Sequence, residues 1–371
     1  MKRFTFWLLA LLLLLGPHSQ TASAQTVNID AALRYWEMTD ALRQDQPLTD
    51  AMWESFLAVP ANNRYVKSVF GSNLADLNSY RRAIEVVYRP SLDSLRQAKL
   101  AAKKWYYVLV NDYKQREPEY RQYLTETARQ PAYLDLMYRY AYEYLPQRAH
   151  TTVQNLQLAY VAIGNDAISE QAGLVFSLKS AVDWNKPKNG ILEAHEMHHQ
   201  LRPGLDFSFA PESDQALLWA LNVVLNEGVA DLIDKKAQLA SPADSAEIHR
   251  WLLAGAPGVI HKLDSVLQVG ARATGPLPAI SYYRRLYKGS TGHLPGFYMS
   301  RIIERNGYVR PMLANVDNPM AFFQLYQKAA QKDKTHPPQF SAAAVRYLKQ
   351  LEKRYVAAAR ASAKNASEAA H

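Results

Sequence analysis

A helix that buries one face usually buries carbon. In "ILEAHEMHHQ", residues 191–200, the positions that meet at i, i+3, i+4 and i+7 are Leu192, His195, Glu196 and His199. Asn189 and Gly190 are start signals ahead of this segment and "RPG" at 202–204 is a stop signal behind it, so a short helix is predicted. The stripe that should face a core is therefore mostly polar. Burying it without partners would cost on the order of several kcal/mol. Either the helix lies in water, or a second element brings groups that satisfy it. No other feature of the chain constrains the fold as strongly.

His195 and His199 stand one turn apart on one face. Two imidazoles so placed converge on a single ion at about 2.0–2.1 Å, and Glu196 can reach a water held there without binding the ion. His-Glu-x-x-His is the spacing found on helices of zinc hydrolases. The alternative is a polar helix with solvated histidines. His198 is the variable position, facing solvent or the groups behind the ligands.

A third ligand is expected from the next helix, "LLWALNVVLNEGVADLID". Glu227 follows the histidine pair, and Asp231 lies one turn beyond it. An aspartate there can accept the far N–H of a liganding imidazole and fix its tautomer. Gly228 costs about 1 kcal/mol relative to alanine in mid-helix. That cost is explained if another backbone comes close, as between two helices sharing an ion. Alone, Glu227 and Asp231 read equally well as a solvated face. With the first motif they predict a site of His195, His199 and Glu227 for Zn2+.

The chain opens with "MKRFTFWLLALLLLLGPHSQTASAQ". A short basic start, an apolar stretch from Phe4 to Leu15 and the small-x-small "ASA" at 22–24 read as a signal peptide, residues 1–24. The apolar stretch is too short to span a bilayer of about 30 Å. Export to the periplasm or the medium is expected, with no membrane segment after leader removal. The chain has no cysteine, which excludes disulfides, thiolate ligands and a lipid anchor on cysteine. Its formal charge is +9, with Lys and Arg scattered and no basic–aromatic cluster, so nucleic acid is not an expected partner.

Apolar spacing makes residues 25–148 a helical N-terminal region. Ala32, Tyr35, Trp36, Thr39 and Leu42 share a face, Thr49 is an N-cap, Pro60 reads as a stop and Pro90 as a divider. Ten of the 23 tyrosines fall between Tyr106 and Tyr144. They could form a sugar or peptide surface, but a helix–helix core with hydroxyls at its rim is the better reading. Near residue 150, "TTVQNLQLAYVAIGN" and "AGLVFSLKS" read as strands of a small sheet. A catalytic region spans 149–345, with one long helix expected at 213–238. A C-terminal helix and frayed tail occupy 346–371. The fold class is α+β, mostly α.

His-Glu-x-x-His followed on a later helix by Glu-x-x-x-Asp resembles the gluzincin, or thermolysin-like, metallopeptidases. More narrowly, "HEMHH" with "NEGVADLID" resembles a family of secreted bacterial zinc-dependent proteases, over roughly residues 150–310. The resemblance implies His195, His199 and Glu227 as zinc ligands, Glu196 as general base, Asp231 behind the ligands and a peptide or protein substrate. The glycine-x-methionine-glutamate-asparagine segment of gluzincin aminopeptidases is absent, which weakens the case for N-terminal exopeptidase action. An oxyanion donor is sought in "GSTGHLPGFYM", where His293 and Tyr298 are candidates. By analogy with the gluzincin layout, "AGLVFSLKS" would be an edge strand that pairs with substrate. A zinc hydrolase of an envelope amide or ester, and a non-enzymatic helical binding protein, are the competing readings.

Overall fold

The structure is a computed structural model describing residues 26–369 apart from 72, 171, 172 and 274. The predicted leader, 1–24, lies outside the described residues. A strand, β1 (Thr26–Asn28), precedes eight helices: α1 (Asp30–Arg43), α2 (Asp50–Leu57), α3 (Pro60–Phe70), α4 (Leu74–Tyr88), α5 (Asp93–Ala101), α6 (Trp105–Gln115), α7 (Glu117–Tyr123) and α8 (Pro131–Tyr142). Each of the five predicted core positions of α1 is buried. The Thr49 hydroxyl accepts the Met52 N–H and caps α2. α2 ends at Leu57, just ahead of Pro60 as a stop signal predicts, and Pro60 also opens the next helix. It stands in the first turn of α3, where its missing N–H would have no helical partner anyway.

Three further strands, β2 (Gln157–Val161), β3 (Ala167–Glu170) and β4 (Gly173–Ser177), join β1 in the order β1-β2-β4-β3. β1 and β4 both run parallel to β2, and β3 runs antiparallel to β4. The segment expected at the edge, "AGLVFSLKS", is instead central. β4 is buried at every position because the β3–β4 hairpin lays β3 on its outer side. The edge strand is β3. Thr26–Asn28, read as part of a helical region, is the opposite edge.

The C-terminal half continues with α9 (Leu178–Trp184), α10 (Ile191–Leu201), α11 (Glu212–Ala230), α12 (Lys235–Ala240), α13 (Ser245–Ile248), α14 (Ala256–Arg272) and α15 (Ile280–Leu286). α16 (His293–Arg305), α17 (Val309–Ala314), α18 (Pro319–Ala330) and α19 (Ala342–Ala369) complete it. The expected single helix at 213–238 is broken after Ala230, and Asp234 caps the N-terminus of α12 with its own carboxylate. Among the described residues, no helix is long and apolar enough to cross a membrane.

Gly228 does have a backbone against it, but the neighbour is α16, not α10. A Cβ on Gly228 would lie 2.6 Å from the carbonyl of Gly296. A Cβ on Gly296 would lie 2.4 Å from the Val224 carbonyl oxygen. This contact seats the first turn of α16 over the last turns of α11. Gly228→Ala is expected to destabilise the protein by about 1–3 kcal/mol, because backbone cannot move aside as a side chain can. Gly204→Ala is the control, since nothing lies within 4 Å of its Cβ. Thermal unfolding of the two variants checks this, and equal midpoints would refute the close-packed crossing.

Candidate metal centre

The tyrosine-rich segment sets the rotation of α10. Glu193 is fully buried and accepts hydrogen bonds from Tyr123 Oη and Tyr160 Oη, each at 2.8 Å, and from Asn185 Nδ2 at 2.7 Å. Asn185 Oδ1 accepts the Leu192 N–H at 3.0 Å, satisfying one of the free donors at the start of the helix. The hydroxyl of Tyr133 joins that of Tyr123. Tyr113, Tyr120, Tyr133, Tyr138, Tyr140 and Tyr144 of this segment are buried core, as their helical setting predicts, and the Tyr123 hydroxyl is directed at Glu193. With Glu193 held on this side, His195, Glu196 and His199 turn toward α11.

His195 Nε2 and His199 Nε2 are 3.1 Å apart. Glu227 Oε2 lies 3.5 Å from the first and 3.2 Å from the second. Donors about 2.0–2.1 Å from one tetrahedral ion stand about 3.3 Å apart. The three edges bracket that value, so the residues present fit zinc. They open on a cavity of about 830 Å³ that Glu196, Trp184, Trp251 and the strand β3 also line.

The groups behind the ligands differ from expectation. Asp231 Oδ1 is 3.8 Å from His195 Nδ1 but 2.9 Å from His293 Nδ1. His195 Nδ1 instead donates to Asp234 Oδ1 at 3.0 Å. Asp234 also accepts from Lys235 Nζ at 2.6 Å, and that buried ammonium lies 4.1 Å above the Trp184 ring. With α11 ending at Ala230, Asp234 stands at the N-cap of α12. Its signal was present in the sequence: Glu227, Asp231 and Asp234 sit at i, i+4 and i+7.

Charge is balanced toward a cation. Burial would raise the Glu227 carboxyl, but His199 and His293 hold it well below its ordinary range. Burial would lower His195, yet Asp234 draws it well above the usual imidazole value. Burial raises Glu196, only partly offset by His195 and His199. Asn226 Nδ2 donates to Glu227 Oε1 at 3.2 Å, and Arg202 Nε donates to Asn226 Oδ1 at 2.7 Å. Burial pushes the Arg202 guanidinium down to about 10. Neither Asn226 nor Arg202 stood out in the sequence, because each acts through a neighbour.

The structure brings His293 to this group: Nε2 is 3.4 Å from Glu227 Oε2. His293 is the first residue of α16, not part of a free loop. Tyr298 is not among the residues lining the cavity. It lies one turn further along α16, half-buried, with Arg305 and Asp333 as its charged neighbours. His198 is neither solvated nor behind the ligands. It is fully buried, with Nε2 3.2 Å from the Tyr144 carbonyl oxygen.

Two sets of three donors can be drawn within 4.8 Å: His195, His199 and Glu227, and His195, Asp231 and His293. In the second set the imidazole Nδ1 atoms are already hydrogen-bonded to Asp234 and Asp231. In the first set the Nε2 edges of both imidazoles face each other and Glu227.

No curated protein and no solved structure matches the chain. One family does, over residues 53–335, and it is described as "Putative zinc dependent peptidase (DUF5700)". The match covers most of the chain and takes in every residue of the cavity, so the chain belongs to this family, described as zinc-dependent.

Proposed function

We propose that the protein is an exported zinc-dependent metallopeptidase of gluzincin type. The observation that carries this reading is the triangle of His195, His199 and Glu227, with edges of 3.1–3.5 Å, at the wall of a cavity that Glu196 also lines. Zinc, when bound, polarises a carbonyl and eases ionisation of a water at its open position.

The chain's own residues do the rest. Glu196 accepts the proton of the attacking water and passes it to the leaving amine nitrogen. His293, steadied by Asp231, donates to the carbonyl oxygen as negative charge develops on it. Asp234 holds His195 in the tautomer that leaves Nε2 free for the metal. β3 offers its outer edge to an extended peptide, replacing the role first expected of β4.

Purified protein is expected to carry one zinc per chain and to hydrolyse a mixed peptide pool. Chelation should abolish cleavage, and added zinc should restore it. Zinc-loaded protein that leaves every peptide intact would refute the peptidase reading.

A further inference from the structure

We infer that the metal cavity is the near end of a longer substrate track, whose far end docks a polypeptide segment carrying an apolar or aromatic side chain followed by acidic residues. This rests on the peptidase reading and names the kind of substrate the site would take.

The cavity reaches Asn165, beyond the start of β3. Asn165 and Gly164 also border a smaller hollow of about 210 Å³, walled by Val69, Phe70, Trp105 and Leu109. Trp105 and Tyr106 are shared in turn with a third hollow of about 560 Å³, where Lys99 and Lys104 stand. The three hollows adjoin in series through these shared walls, from the metal over an apolar stretch to a cationic one.

The surface along these hollows is unusual for a folded chain. Trp105 is 54 % exposed and Val69 45 %, and both wall the middle hollow. Single exposed apolar residues need no explanation, but a contiguous group marks a contact surface. An exposed tryptophan is the side chain most often found at the energetic centre of such surfaces. Of the cations beyond it, Arg82 is paired with Glu85, whereas Lys99 stands 5.7 Å from the Tyr107 ring. Among the described residues neither Lys99 nor Lys104 forms an ion pair. Asp76, the carboxylate of the middle hollow, is taken up with Asn73 at the start of α4.

An anionic lipid surface would meet the same tryptophan and lysines. Continuity with the catalytic cavity favours the polypeptide. A chain bound along the edge of β3 extends about 3.3 Å per residue, and Asn165 stands where it leaves the metal cavity.

The test compares a short peptide with one lengthened by about ten residues, ~33 Å of extended chain, that include Phe followed by Asp and Glu. The lengthened peptide should have a KM about tenfold lower. Trp105→Ala should erase that difference and leave kcat/KM for the short peptide unchanged. Lys104→Glu should raise KM for the long peptide about threefold, less so at high salt. Binding of both peptides to zinc-loaded Glu196→Gln, read by fluorescence anisotropy, should show the same order without turnover. Equal affinity for the two peptides in that variant would overturn the docking surface even if hydrolysis is never seen. Sedimentation with phosphatidylglycerol vesicles that Trp105→Ala abolishes would overturn it in favour of lipid. Hydrolysis of the short peptide with no gain from length would leave the peptidase reading standing and remove this inference alone.

Discussion

Glu196→Gln is expected to lower peptide turnover by about 10²–10⁴-fold while the protein keeps its zinc. Glutamine preserves the volume and one oxygen of the side chain but cannot accept a proton. Glu196 stands outside the donor triangle of His195, His199 and Glu227, so the metal should stay. Burial pushes its carboxyl upward, which makes the carboxylate a better proton acceptor than a surface glutamate. Steady-state kinetics and metal analysis of the same preparation decide the matter. Loss of zinc would make Glu196 a ligand, and retained turnover would remove it from the chemistry.

The second large effect is on the metal itself. Zinc binding to closed protein sites is worth about 10–16 kcal/mol. One ligand of four therefore carries roughly 3–4 kcal/mol, or a factor of about 10²–10³ in affinity. Glu227→Ala should lose at least that much, because its Oε2 faces both imidazoles. Asp234→Asn should cost only about 10–100-fold, since it acts through His195. Tyr298→Phe should change nothing, as its hydroxyl does not line the cavity. Competition with a chromophoric chelator gives all three affinities. A larger loss for Asp234→Asn than for Glu227→Ala would reverse the assigned roles.

Much of this centre is legible in the sequence because helical spacing is short-range. His199 follows His195 by four positions, and the helix alone fixes their shared face. Asp234 shares the helical spacing of Glu227 and Asp231, but its role rests on His195, a partner 39 positions away that no local pattern joins to it. The same limit hid the order of the sheet. Alternation and composition mark β2 and β4 as strands, but they do not say which lies outside. That depends on a hairpin and on two parallel crossovers, which are tertiary facts. Glu193 was visible as a letter in the motif, yet its cage draws on α7, β2 and the loop after α9, which no local pattern joins.

The pairing of β1 with β2 has a consequence for how the molecule comes into being. Thr26 is aligned with Gln157, so the first strand waits for more than a hundred residues of chain before it has a neighbour. Contacts of such long range close slowly. The helices between can condense early, but the layer that seats the motif helix is finished only when both ends of that span have met.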